Sequence, residues 1–190
     1  MSASQRAVWP WSLWNRVTIP LGQRLFAARS LHPPQRTQTP FDAAFPFASH
    51  TAYHRFFGAP GLAELQILVQ SETIEQFTAG AAELVRRIRP PLVMISTKPF
   101  SGRQRSLSMS GTGILFTFDL ARTGRTRDFL SAFDELTTTV RAQPNIAKDS
   151  RLPAAVVAAT LPDYEHFAKT VRGLDPDRLY QSELSRRIGL

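Results

Sequence analysis

The sequence predicts an α+β fold, a ferredoxin-like βαββαβ sheet with two helices on one face followed by a helical C-terminal tail, on three observations. Residues 62 to 69 alternate, with Leu65, Ile67 and Val69 on one side and Glu64, Gln66 and Leu68 on the other, as a half-buried strand requires. Ile74, Phe77, Ala81, Leu84, Val85 and Ile88 recur at three-to-four spacing, and Phe129, Leu130, Phe133, Leu136 and Val140 do so again, which marks two amphipathic helices. Between the helices lie two further apolar runs, Leu92 to Lys98 and Gly113 to Leu120, and a short last strand is expected at Asn145 to Ala147.

The remaining elements follow in order. Trp9, Trp11 and Trp14 around Pro10 have neither the sustained apolar core nor the cleavage site of a signal peptide, so residues 1 to 15 read as a frayed or docking segment. Ile19 to Ser30 reads as a short helix opening at Pro20. Pro33, Pro34, Pro40 and Pro46 then predict an irregular stretch up to the aromatic group Tyr53, Phe56 and Phe57. Thr73 and Gln76 stand in capping-box relation at the start of the first sheet-covering helix, and Pro90 stops it. Pro99 to Thr112 is a Ser, Gly and Arg-rich connection. Past Lys148 the spacing predicts three short helices, at Pro153 to Thr160, Asp163 to Gly173 and Ser182 to Ile188. These last residues carry few large apolar positions and are expected to pack on something else rather than form a core.

Strand parity assigns the two faces of the sheet. Leu65, Ile67, Val69, Val93, Ile95, Ile114, Phe116 and Phe118 are placed under the helices, which leaves Glu64, Gln66, Ser96, Lys98, Leu115, Thr117 and Asp119 on the open face.

Composition excludes several chemistries. A chain of 190 residues with 43% hydrophobic residues and 13 Phe holds one domain, or one domain with a tail. With no Cys there is no disulfide, thiolate nucleophile or cysteine metal site, and the compartment stays open with a lean to the cytoplasm. His50 and His54 share a helical spacing but have no carboxylate between them to complete a metal motif, and no metal is expected. No apolar run is long enough to span a bilayer. The net charge of +8 admits nucleic acid, an anionic membrane or a basic docking face. Three of the 23 basic residues are lysines (Lys98, Lys148 and Lys169) and the arginines are scattered from Arg6 to Arg187, which weakens the nucleic-acid reading. So does the open face, because Phe116 and Phe118, the aromatics an RNA-recognition sheet would stack bases on, share the helix-covered parity.

Several segments carry a resemblance. Ala147-Lys148-Asp149-Ser150-Arg151, Val171 through Asp175-Pro176 and the terminal Ser182 to Leu190 run resemble the carboxyl terminus of FAD-linked oxidoreductases of the vanillyl-alcohol oxidase superfamily. Within that superfamily the likeness is to the decaprenylphosphoryl-ribose 2-oxidase family and, more distantly, to sugar-lactone oxidases such as the D-arabinono-1,4-lactone oxidases. It extends upstream through Lys98-Pro99-Phe100-Ser101-Gly102, Leu107-Ser108, Phe116-Thr117-Phe118-Asp119 and Phe57-Gly58-Ala59-Pro60-Gly61, and covers roughly residues 15 to 190.

The resemblance implies a division into residues 1–43, an N-terminal helix and Pro-rich segment, 44–144, a cap or substrate-binding domain lying over the flavin ring of FAD, and 145–190, a tail that packs on an FAD-binding domain. It implies Lys148 and Lys98 as catalytic residues, Lys148 and Asn145 at the cofactor, and Glu64, Gln66, Ser96, Lys98, Leu115 and Thr117 at the substrate. The implied reaction is oxidation of a sugar, sugar-lactone or polyol carbinol. No glycine-rich phosphate loop is legible, so the expected partner is an FAD-binding protein supplied in trans, with the basic surface and the tail docked on it. Any membrane association would be peripheral and run through that partner. In the family pattern a tyrosine stands at Asn145, a glutamine at Glu64 and a Tyr-Pro-Arg run at Leu161-Pro162-Asp163, and Leu115 replaces a polar residue. These departures motivate the alternative of a catalytically inactive remnant or binding module with the same fold. Nucleic-acid binding is the third reading.

Overall fold

The computed structural model describes residues 9–30, 37, 39–41, 51–103 and 106–190. Most of the Pro-rich stretch, and His50, lie outside the described residues.

Helix α1 runs Thr18–Ser30 and opens two residues before Pro20. Asn15 caps it, its Oδ1 accepting from the backbone N–H groups of Val17 (2.9 Å) and Thr18 (3.1 Å). A short α2 at Thr51–Arg55 carries Tyr53. The described part of the tryptophan segment is tied down: Leu13 N–H donates to Phe56 O (2.8 Å), Ala59 N–H to Trp9 O (2.7 Å), and the Trp14 ring packs against Tyr53, Phe56 and Phe57. Gly58 makes this approach, because a Cβ on it would collide with the Trp11 backbone and its φ is +62°.

The sheet follows with β1 at Leu62–Gln70, α3 at Ile74–Ile88, β2 at Leu92–Gly102, β3 at Gly111–Ala121, α4 at Gly124–Thr139 and β4 at Gln143–Pro144. Strand order is β2-β3-β1-β4 with antiparallel neighbours throughout, which is the ferredoxin-like arrangement. Leu65, Ile67, Val69, Phe116, Phe118 and Leu120 meet Phe77, Ala81, Leu84, Phe129, Leu130 and Phe133 of the two helices in one core. The parity of β1 and β3 is therefore as the alternation predicts.

Five expectations are corrected. Val93 and Ile95 are not core residues: Val93 is the extra residue of a bulge between the Leu92/Leu120 and Met94/Asp119 pairs. Ile95 faces Phe118 in register but is 48% exposed, because β2 is the sheet edge. Thr73 forms no capping box; a single 3-10 turn at Ser71–Thr73 precedes the helix and the Thr73 hydroxyl donates to Gln70 O (3.3 Å). The last strand is Gln143–Pro144, before Asn145 to Ala147, because it pairs with Leu68 and Ile67. Strands β2 and β3 run further than expected and shorten their connection.

The fifth concerns the tail, with α5 at Ala154–Thr160, α6 at Tyr164–Leu174 and α7 at Glu183–Arg187. It does build a small core: Leu152, Val156, Val157, Leu161, Tyr164 and Ile188 are buried together, with Leu107 of the β2–β3 connection packed on them. The Tyr164 hydroxyl donates to Ile188 O (2.6 Å), which draws the C-terminus back onto α6. Each side chain is modest, and the cluster forms because three short helices and a loop converge.

Candidate functional site

Register converts the open face into rows. Lys98, Leu115, Leu68 and Gln143 lie across the four strands in one row. The next holds Ser96, Thr117 and Gln66, and the third Met94, Asp119 and Glu64. Every residue expected at the substrate falls in these rows.

The middle row is hydrogen-bonded from Thr117 through Gln66 to Asn145. Gln66 Nε2 donates to Thr117 Oγ1 (2.9 Å), and Asn145 Nδ2 donates to Gln66 Oε1 (2.8 Å). Asn145 is held there by its own backbone N–H, which donates to Gln66 O (2.8 Å) just past the end of β4. Its side-chain oxygen also accepts from Ala147 N–H (3.1 Å), an Asx turn that bends the chain back over the sheet.

That turn delivers Lys148 to the third row, where its Nζ meets Glu64 Oε1 at 2.6 Å. Lys148 does not pair with its neighbour Asp149, which instead meets Arg151 (3.0 Å). With side chains 44% and 26% exposed, the Lys148–Glu64 pair contributes at most about 1 kcal/mol. Lys98 stands elsewhere. It is exposed on β2, two strands across and four residues along from Glu64, about 10 Å and about 13 Å by sheet spacing. The two lysines therefore do not converge on one point.

Two residues join the site that the sequence reading did not assign to it. Asp119, across from Glu64, is 5% exposed and accepts from the Tyr53 hydroxyl (2.5 Å). Its Oδ1 is buried with no hydrogen-bond partner among the described residues. Burial holds the Asp119 carboxyl above its usual range; the Tyr53 hydrogen bond draws it partly back, and the Glu64 charge adds to the rise. Burial and then Asp119 push the Tyr53 phenol well up, so it remains a donor. Asp119 was legible as an open-face residue; Tyr53 had no signal, because its helix α2 meets the sheet through a contact 66 residues away in the chain.

A carboxyl whose folded pKa is raised holds its proton more tightly folded than unfolded. Its stabilising contribution is therefore full below the unfolded value of 3.8 and is lost as pH rises through the folded value. Asp119→Asn removes this loss. Thermal melts of the variant and the parent are expected to coincide below the unfolded value of 3.8 and to separate, variant above, toward pH 7; a constant gap would mean that Asp119 titrates normally.

Beside the rows lies a cleft of about 670 Å³, walled by Phe100, Leu107, Met109, Phe167, Leu184 and Ile188, in the size range of small-molecule sites. Asn145 lines it too and is the member of the expected site set that does so. Gln143 shapes this cleft from the first row: its Oε1 accepts from Ser110 N–H (2.8 Å) and its Nε2 donates to Ser110 O (3.0 Å), which clamps the β2–β3 connection down. The arrangement offers amide and hydroxyl groups for a polyhydroxylated or heterocyclic ligand, next to an apolar wall.

The fit to FAD is partial. Amides that both donate and accept suit the polar edge of a flavin ring, with Asn145 and Lys148 nearest the chain's return over the sheet. They do not suit its pyrophosphate. Of the four described glycines with left-handed φ, the Cβ space of Gly58 is filled by Trp11, that of Gly111 by Gln70 and that of Gly189 by Tyr164; Gly61 faces open space, and one such glycine does not make a phosphate cradle.

No family model matches the chain. Over 184 residues, 96% of its length, it is 23% identical to decaprenylphosphoryl-beta-D-ribose oxidase of Mycolicibacterium smegmatis (strain ATCC 700084 / mc(2)155), of which it spans 40%. The chain is thus a distant relative of an oxidase and corresponds to less than half of that protein's length.

Proposed function

We propose that this chain is the C-terminal, substrate-side portion of an FAD-dependent oxidoreductase that oxidises a sugar, sugar-lactone or polyol carbinol. FAD, when bound, supplies the two-electron acceptor. Its pyrophosphate is held by an FAD-binding polypeptide acting in trans, and the polar face with the tail docks on that partner. The observation that carries the reading is the Thr117–Gln66–Asn145 line. It joins two of the residues expected at the substrate to one expected at the cofactor in a hydrogen-bonded line beside an apolar cleft. In this reading Gln66 and Thr117 orient substrate hydroxyls, Asn145 and Lys148 meet the flavin edge, and Ser96, Leu115 and Lys98 bound the site on the β2 side. A native pull-down from source extract, read by visible absorbance and by mass, is expected to yield a yellow complex with an FAD-binding polypeptide. A colourless solitary chain would overturn the split-enzyme reading.

One observation favours a second reading. The Lys148 ammonium is taken up by Glu64, at a position where the resemblance has glutamine, rather than left for a ligand. A non-catalytic binding module would tolerate that pairing. Lys148→Ala separates the two: in the assembled complex the enzyme reading expects flavin reduction to fall more than tenfold, about 1.4 kcal/mol or more, with assembly intact. Unchanged reduction removes Lys148 from the mechanism.

A further inference from the structure

The first carboxylate of the sequence is Asp42, and five arginines precede it. Within that acid-free run α1 carries an exposed row of apolar side chains along one side. Ile19 is buried, but Val17, Leu21 and Leu25, at every fourth position, are 75%, 55% and 59% exposed. On a 3.6-residue period Arg24 and Arg29 fall on either side of this stripe. Trp9 and Trp11, on the segment leading into the helix, are 51% and 64% exposed.

Arg16, at the mouth of the helix, also lines a shallow cleft of about 520 Å³ with Arg86, Arg87, Arg89, Arg125 and Asp128. This cleft gathers the C-terminal end of α3 and the first turn of α4, the layer opposite the polar rows. Arg86 is bridged to Glu83 (2.9 Å). Among the described residues Arg16, Arg87, Arg89 and Arg125 have no carboxylate within 4.0 Å. Among the described residues four guanidinium groups without an ion pair thus line this cleft, and Arg16 links it to the apolar row that begins at Val17.

A nucleic acid would use the arginines and leave the leucines in water. A headgroup boundary uses both: apolar side chains enter the acyl region, flanking arginines extend to phosphates, and tryptophans sit at the interface. The 13 residues of α1 are about 20 Å long, too short to span the hydrocarbon, and no described helix is long and apolar enough to cross a membrane. We propose that α1, with Trp9 and Trp11, lies in the plane of an anionic bilayer surface, and that the arginine cleft between α3 and α4 takes the lipid headgroups. The contact is the chain's own and does not depend on the oxidoreductase reading.

The test is co-sedimentation of the full chain with vesicles of phosphatidylcholine alone and of phosphatidylcholine mixed with phosphatidylglycerol. The chain is expected to pellet with the anionic vesicles, with a blue shift of tryptophan emission, and to be released by salt. Arg87→Glu/Arg89→Glu and Leu21→Glu/Leu25→Glu are each expected to weaken binding at least about tenfold; these side chains are exposed, and Leu21→Ser/Leu25→Ser serves the same test should the glutamates unfold α1. Absence of binding, or equal binding to neutral vesicles, overturns the proposal. So does loss of binding in the arginine variant alone with RNA competing, which would mark a polyanion site without a membrane.

Discussion

Phe118→Ala is expected to lower the unfolding free energy by about 3 to 5 kcal/mol, the range for deleting a buried phenyl ring. The side chain is 2% exposed and sits among the rings of Phe133 (5.1 Å), Phe77 (6.5 Å) and Phe116 (6.5 Å), which belong to both helices and the adjacent strand position. Those neighbours are themselves fixed by close packing, so little collapse into the cavity is available. Thr117→Ala, one residue away on the other face, loses the hydrogen bond accepted from Gln66 and is expected to cost about 1 kcal/mol. Urea denaturation of the two variants measures the difference. Equal losses would mean that the faces of β3 are assigned the wrong way round.

The second large effect is expected at Arg151. Its guanidinium meets Asp134 of α4 through two bonds (2.6 and 2.8 Å) and Asp149 through a third contact (3.0 Å), so it pins the start of the tail to the helical layer. Asp134 and Asp149 are 14% and 7% exposed, and burial already pushes the Asp149 carboxyl up, with the Arg151 charge drawing it back. Arg151→Ala leaves two carboxylates facing each other without a cation. The cost of breaking a buried pair this way is about 3 to 5 kcal/mol; with Arg151 32% exposed, about 2 to 4 kcal/mol is expected. The loss should shrink on acidification, as the stranded carboxylates take up protons, and Asp134→Asn in the same background should recover part of it. A loss that neither acid nor Asp134→Asn reduces would mean that the carboxylates are not its cause.

This clamp also shows where residue-by-residue reading of a motif stops. Ala147 to Arg151 is among the segments that carry the likeness to the oxidases, yet within the seven residues 145–151 three different tasks are done. Asn145 and Ala147 make the turn, Lys148 reaches the face of the sheet, and Asp149 with Arg151 holds the tail to α4. The spacing of the motif has no term for Asp134, which lies 17 residues back on a helix.

The fold was legible because each element is written locally. The two-residue alternation of β1 and β3 and the three-to-four spacing of α3 and α4 fix which side chains face the core, and parity then fixes which polar residues share the other face. The same logic failed at β2, where a single bulge residue, Val93, and an edge position, Ile95, depend on neighbouring strands rather than on spacing. It also failed in the tail, whose core is assembled from Leu107 and residues near the end of the chain.

The sequence by itself therefore determined the order of elements, the sheet, and the set of polar residues on its free face. Only the tertiary structure decided which of them meet: Lys148 with Glu64 across 84 residues, Asn145 with Gln66 across 79, and Tyr53 with Asp119 across 66. The reason is physical. Periodicity sets the face a side chain points to, whereas its partner is set by strand register and by the path of loops that cross the sheet, and both come from long-range packing.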